Sequence, residues 1–293
     1  AGSSIIVPVT GTQKVTVAGW YAGTWDINGQ NSVTADSSSS ATSPVTNSYI
    51  TDGTETSVTV NVTGEGSNYL YWIMVEDMVA FKSEISVPGD YDTLNDAVTA
   101  IRTMVGRPEG EEGRVTINLT ADIQEQVVID TPYVMIKGNG HTISWYYGVG
   151  TFYYSIDGNT GLYSERLFRD KYSSNEGNGS LWGGTVIVRA DYFKAEDTTF
   201  KNTYNYEVTD KEILDFAKTA TSAFPQRTSK DVDVQSYAAK ERSNALYVDG
   251  NFLECKNCNI MSSQDTLGAN KDTDYYAYFN NCVIGGNTDF ICG

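Results

Sequence analysis

Residues 256–268 read KNCNIMSSQDTLG, and residues 280–292 read NNCVIGGNTDFIC. Laid over one another without a gap, the two segments agree at Asn257 and Asn281, Cys258 and Cys282, Ile260 and Ile284, and Asp265 and Asp289, with Leu267 opposite Ile291. The offset is 24 residues throughout. An earlier stretch joins at an offset of 60, where Val188, Tyr192 and Phe200 fall on Val248, Phe252 and Ile260. A repeat of roughly 20 to 50 residues means stacked units that bury one another's apolar faces. Short β runs and turns, at about 20–25 residues per unit, predict a parallel β-helix rather than a helical solenoid.

Equivalent positions on neighbouring coils of such a stack lie about 4.8 Å apart. Asp265 and Asp289 then become vertical neighbours. Two carboxylates that close resist double ionisation, so one pKa rises while the other stays low. One can then give a proton while the other acts as base or nucleophile. Two turn aspartates, or a calcium pair, fit the same spacing. Cys258 falls on Cys282, within the Cα window of a disulfide, roughly 4.4–6.8 Å. An inward ladder of free thiols is the preferred reading, because stacked inward Cys behave as small hydrophobes. Cys255-x-x-Cys258 has the spacing of a zinc half-site, but Cys282 and Cys292 do not complete one. No metal and no cofactor are expected.

The 293 residues carry 20 Lys and Arg against 37 Asp and Glu, a net charge of −17, which argues against a nucleic-acid binder. Hydrophobic residues make up 40%, enough for a packed core. The longest apolar run, Tyr69 to Val75, is far short of the roughly 20 residues a membrane helix needs, so no membrane span is expected. His141 is the only histidine, which weakens any reading built on several His ligands or a His-centred triad. Twenty Tyr and 27 Gly, with abundant Thr, Ser, Asn and Val, tilt the chain toward strands and tight turns. The low Lys count and Ser/Thr/Asn-rich surface fit a secreted or cell-surface protein, and Ala1-Gly2-Ser3 looks like a processed or engineered start.

Residues 1–80 read as a separate β-rich accessory unit, a small sandwich. Val15-Thr16-Val17 and Val58 to Val62 alternate with period two. Ser37 to Ser40 reads as a flexible loop, and Tyr69 to Val75 as a continuous apolar strand. Trp20, Tyr21 and Trp25 are candidates for stacking on sugar, or for filling the core. The second unit, 81–293, opens with a helix over 93–104. Leu94, Ala97, Val98, Ile101 and Met104 share its face, and Asp92 or Thr93 caps it. That helix should cover the open end of the stack. A second helix over 210–224 follows from the capping-box pair Thr209 and Glu212, with Pro225 after it.

Gln264-Asp265-Thr266-Leu267, Tyr275-Tyr276, Asn281-Cys282-Val283-Ile284 and Asp289-Phe290-Ile291-Cys292-Gly293 resemble the signature run of the pectin methylesterases. Tyr91 to Ala97 is similar to that family's opening helix, and Thr185 to Val188, Phe193, Phe200 and Asn202-Thr203 to its middle coils. The likeness covers about residues 81–293, with insertions near 144–184 and 204–241. It implies a right-handed parallel β-helix that hydrolyses galacturonate methyl esters in pectin. By the same likeness Asp289 is the nucleophile, Asp265 the general acid and then base, and Gln264 an oxyanion-stabilising donor. Arg242 stands where the family has a second glutamine; it either stabilises the oxyanion or lies at the surface. The family's arginine and tryptophan downstream of this motif have no counterpart before Gly293, so the chain is expected to be a piece of a longer protein. The alternative to an esterase is a non-catalytic structural or adhesive protein on a degenerate esterase scaffold. A polygalacturonase, suggested by Asn287-Thr288-Asp289, fails on the position of His141.

Overall fold

The computed structural model describes residues 2–21, 23–63, 69–148, 156–157, 162–163, 183–216, 229–231, 233, 242–269 and 274–292. Two compact units emerge: Ala1–Phe81 with Thr103–Arg107, and Lys82–Arg102 with Pro108–Gly293.

The first unit is a sandwich of two antiparallel sheets. One runs in the order Ser3–Pro8, Ser57–Val62, Thr24–Ile27, Gln30–Thr34; the other runs Val45–Ile50, Gln13–Trp20, Tyr69–Asp77. Val7, Val15, Val17, Ile27, Val58 and Val60 meet between the sheets, as period-two alternation requires. Trp25 belongs to that core, 1% exposed, and so is not a sugar-stacking residue. It alternates inward with Ile27, and its ring lies where a Cβ on Gly19 would approach to 2.8 Å. The apolar run Tyr69 to Val75 is a strand as expected, Tyr69–Asp77; among the described residues it pairs with Gln13–Trp20 alone and lies at the sheet edge, exposing Tyr69, Tyr71, Met74 and Val75. The Ser37–Ser40 segment is an ordered turn, because the Asp36 carboxylate accepts the Ser38 and Ser39 N–H groups at 2.8 and 3.0 Å. A bond from the Ser38 hydroxyl, and then those two, hold the Asp36 carboxyl below its ordinary range.

The second unit is a parallel β-helix whose coils contribute one strand to each of three sheets. The first sheet stacks Glu84–Val87, Val115–Leu119, Val134–Lys137, Lys194–Glu196, Leu253–Lys256 and Ala277–Asn280. The second stacks Ile123–Gln124, Thr142–Trp145, Thr199–Asn202, Asn259–Met261 and Val283–Gly285. The third stacks Val127–Ile129, Val186–Val188, Leu246–Val248, Leu267–Ala269 and Ile291–Cys292. Alternate side chains point inward and pile into ladders, such as Ile123, Ile143, Phe200, Ile260 and Ile284. The register is the one that the 24- and 60-residue offsets set: Val188 pairs with Val248, and Ile260 with Ile284. Asn281 Nδ2 donates to Asn257 Oδ1 at 2.8 Å, and the Cys258 N–H lies 3.5 Å from Cys282 Sγ, so both predicted pairs are vertical neighbours. All four cysteines are free thiols.

Helix α1, Leu94–Thr103, starts one residue after Thr93, whose hydroxyl accepts the Asp96 N–H at 3.0 Å. The Glu125 carboxylate accepts the next free donors, Leu94 and Asn95 N–H. Leu94, Ala97, Val98 and Ile101 are buried along one face. Met104, read as helical, instead begins the short strand Met104–Val105, which pairs with Val79–Ala80. Helix α2 spans Asp210–Phe216, with the Thr209 hydroxyl 3.2 Å from the Glu212 N–H it accepts. The remainder of the predicted 210–224 segment lies outside the described residues.

Corners are made by residues in left-handed conformation. Tyr133, Tyr192 and Phe252 have φ of 57°, 61° and 56°, and Asn139, Asp197, Asn257 and Asn281 have φ of 51°, 49°, 53° and 53°. The aromatic corners stack: Tyr133 on Tyr192 at 4.7 Å, Tyr192 on Phe252 at 4.9 Å and Phe252 on Tyr276 at 5.7 Å. The two long excursions, 146–185 and 203–245, both leave the stack between its second and third sheets. Asn202, fully buried, holds their roots. Its Nδ2 faces the carbonyls of Tyr147, Gly183 and Asn244 at 2.8, 3.1 and 2.9 Å. Asn202→Leu is expected to cost about 3 kcal/mol or more in urea unfolding, since each buried carbonyl stripped of its donor costs about 1–3 kcal/mol.

Candidate active site

The corner between second and third sheets is short in the last two coils. Residues 262–266 turn one of them and 286–290 the next. Gln264 bridges to Thr288, and the Asp265 N–H points to the Thr288 carbonyl at 3.4 Å. Asp265 and Asp289 therefore occupy the same place on successive coils, both left-handed, with φ of 55° and 44°. Asp and Asn tolerate that conformation better than most side chains.

The Asp265 side chain, covered by the coil that carries Asp289, is 5% exposed. Burial pushes the Asp265 carboxyl above its ordinary range; the Arg242 charge and a hydrogen bond from the Cys292 thiol oppose this, and the Asp289 charge adds to it. A raised carboxyl is what the stacked pair predicts, but desolvation is the larger cause and mutual repulsion the smaller. Arg242 Nη1 lies 3.8 Å from Asp265 Oδ2, with its side chain 49% exposed, a loose pair in high dielectric. No ion pair joins Arg242 to Asp289 among the described residues. Gln264 stands beside Asp265 with its Oε1 buried and without a hydrogen-bond partner among the described residues. All four predicted site residues thus line one corner, with Arg242 directed at the acid rather than at Asp289.

A polar network supports this corner. The Asn244 Nδ2 donates to the Asp265 carbonyl, which fixes the left-handed turn. Ser243 Oγ lies 2.7 Å from Ser262 Oγ and 3.3 Å from Ser263 Oγ. The second excursion adds Asn205 Nδ2, donating to Ser263 Oγ at 2.9 Å, and Tyr206, whose hydroxyl donates to the Ser262 carbonyl at 2.7 Å. Sequence reading missed Asn244 and Cys292. The 24-residue register does place Cys292 over Gly268, one coil along and three residues past the aspartate, so the signal for Cys292 was present.

Fold and corner together define a parallel β-helix protein with two stacked carboxylates. No family model matches the chain. It is 24% identical over 209 residues to probable pectinesterase 50 of Arabidopsis thaliana, covering 70% of this chain and 41% of that protein. Among solved structures it is similar to the pectin methylesterase PemA of Erwinia chrysanthemi, at 19% identity and a TM-score of 0.43, covering 73% of this chain and 52% of that one. It is also similar to the rice weevil pectin methyl esterase, at 16% identity and a TM-score of 0.47, covering 72% and 52%. For the carrot pectin methylesterase the values are 22% and 0.40, covering 74% and 50%. The chain resembles the pectinesterases and spans about two fifths of the length of the curated relative.

Proposed function

We propose that the protein hydrolyses methyl esters of galacturonate in pectin, releasing methanol outside the cell. The observation that carries this reading is the Asp265–Asp289 pair: two carboxyl groups at the same place on successive coils, with that of Asp265 buried and raised. Burial favours the protonated form of Asp265, the form that can give a proton to a leaving group beside a second carboxyl that attacks. The Asp289 carboxylate adds to the ester carbonyl, and the developing oxyanion takes a hydrogen bond from the Gln264 amide. Collapse expels methanol with the Asp265 proton and leaves an anhydride between Asp289 and the sugar acid. Asp265, now ionised, takes a proton from water; the hydroxide opens the anhydride and both aspartates return to their starting states. The chemistry uses two carboxylates, an amide and water.

Methanol release from highly methylated pectin by the full-length protein tests the reading. Release that depends on Asp289 supports it, and its absence there favours the non-catalytic scaffold. Arg242 gives a finer check. Its charge lowers the Asp265 pKa, so Arg242→Gln is expected to let that pKa rise further. Rate is lost as pH climbs through the pKa of the acid, so the alkaline limb of the pH–rate profile should move to higher pH. An unmoved limb with a lowered rate would assign Arg242 to the oxyanion instead.

A further inference from the structure

Three aromatic rings of the N-terminal unit gather at one end of its three-stranded sheet. Trp20 stacks on Tyr69 with centroids 5.1 Å apart and planes at 29°. Tyr21 stands across both, at 66° to Trp20 and 67° to Tyr69, with centroids 6.2 and 6.0 Å away. The result is a floor with an upright wall. Tyr21 and Tyr69 are 49% and 46% exposed, and Tyr71, 54% exposed, follows at the bulge opposite Ala18 and Gly19.

Tyr21 takes this position at a cost. Its φ is 58°, left-handed, which a bulky side chain rarely adopts. Its N–H donates to Ser39 Oγ at 3.0 Å, and Ser39 is in turn held by the Asp36 turn.

We infer that Trp20, Tyr21 and Tyr69 form a shelf on which an uncharged polysaccharide stacks the apolar faces of its sugar rings. Aromatic faces are electron-rich and attract the C–H-lined face of a pyranose. Charge selects among polysaccharides. Lys14 and Arg107 are the only basic residues of this unit, against seven Asp and Glu, so a polyanionic chain is repelled. Methyl-esterified galacturonan, whose carboxyls are masked, qualifies; its demethylated product does not. The shelf and the aspartate corner are separate sites, and binding at the shelf does not depend on the proposed hydrolysis.

Affinity electrophoresis of the whole chain and of Tyr21→Gly and Tyr69→Ala, in gels holding highly methylated pectin, polygalacturonate or hydroxyethylcellulose, is the test. Glycine suits a φ of 58°, so Tyr21→Gly removes the ring while relieving the backbone, and its melting temperature should equal or exceed that of the parent. Retardation by methylated pectin and by hydroxyethylcellulose is expected, weakened about tenfold in either variant, as loss of one stacking ring implies. Polygalacturonate should retard the chain least. Equal retardation of parent and variants, no retardation by either uncharged polymer, or the strongest retardation by polygalacturonate would each overturn the inference.

Discussion

Asp289→Asn is expected to reduce methanol release from methylated pectin by about 10⁴-fold or more, the scale seen when a covalent nucleophile is removed. An amide oxygen has no charge to donate. The fold should be untouched, because Asn matches Asp in size and adopts a φ of 44° at least as readily. The melting temperature of the variant should therefore match the parent. Methanol assays and thermal melts on the same preparations check both halves. Near-parental turnover from a folded Asp289→Asn protein would refute the nucleophile.

Asp265→Asn is expected to act in opposite directions on rate and stability. Losing the proton donor should cost about 10²- to 10⁴-fold in methanol release, because methoxide is a poor leaving group. Stability should rise at neutral pH. Burial raises the Asp265 pKa in the folded chain above its unfolded value, so the folded state binds that proton more tightly. Its contribution is complete below the ordinary carboxylate range and is lost as pH climbs through the raised pKa. Above that point the folded chain carries a buried carboxylate, a penalty Asn avoids at every pH. The variant should melt above the parent at about pH 8, and the gap should close toward about pH 3, where the unfolded carboxyl is also protonated. A variant less stable than the parent at about pH 8 would show that Arg242 and Cys292 outweigh burial.

The stack was legible because a parallel β-helix writes its register into sequence spacing. Asn257 over Asn281 and Cys258 over Cys282 follow from one 24-residue offset, and the strand pairings agree. The juxtaposition of Asp265 and Asp289 was legible for the same reason. The burial of Asp265 was not, since burial depends on what the coil packs against. Nor was the role of Asn244, whose amide reaches a carbonyl 21 residues further on. In the N-terminal unit, alternation located the strands but could not sort Trp20 from Trp25. Both lie near the end of a strand, and only the partner sheet decides which ring is covered. The hydrogen bonds of the Ser37–Ser40 turn were not legible because they come from one carboxylate, Asp36, just outside the serine run.

The two long excursions and the two short carboxylate turns leave the stack at the same corner. Side-chain ladders forbid an insertion within the strands, since a single added residue would throw every inward group outward. The corner carries no such rule, and closing a longer loop there adds only a logarithmic entropy cost. The coil is thus a chassis with one open slot per turn. Excursions could be exchanged in that slot to reshape what approaches the aspartates, provided the substitute keeps carbonyls where Asn202 can hold them.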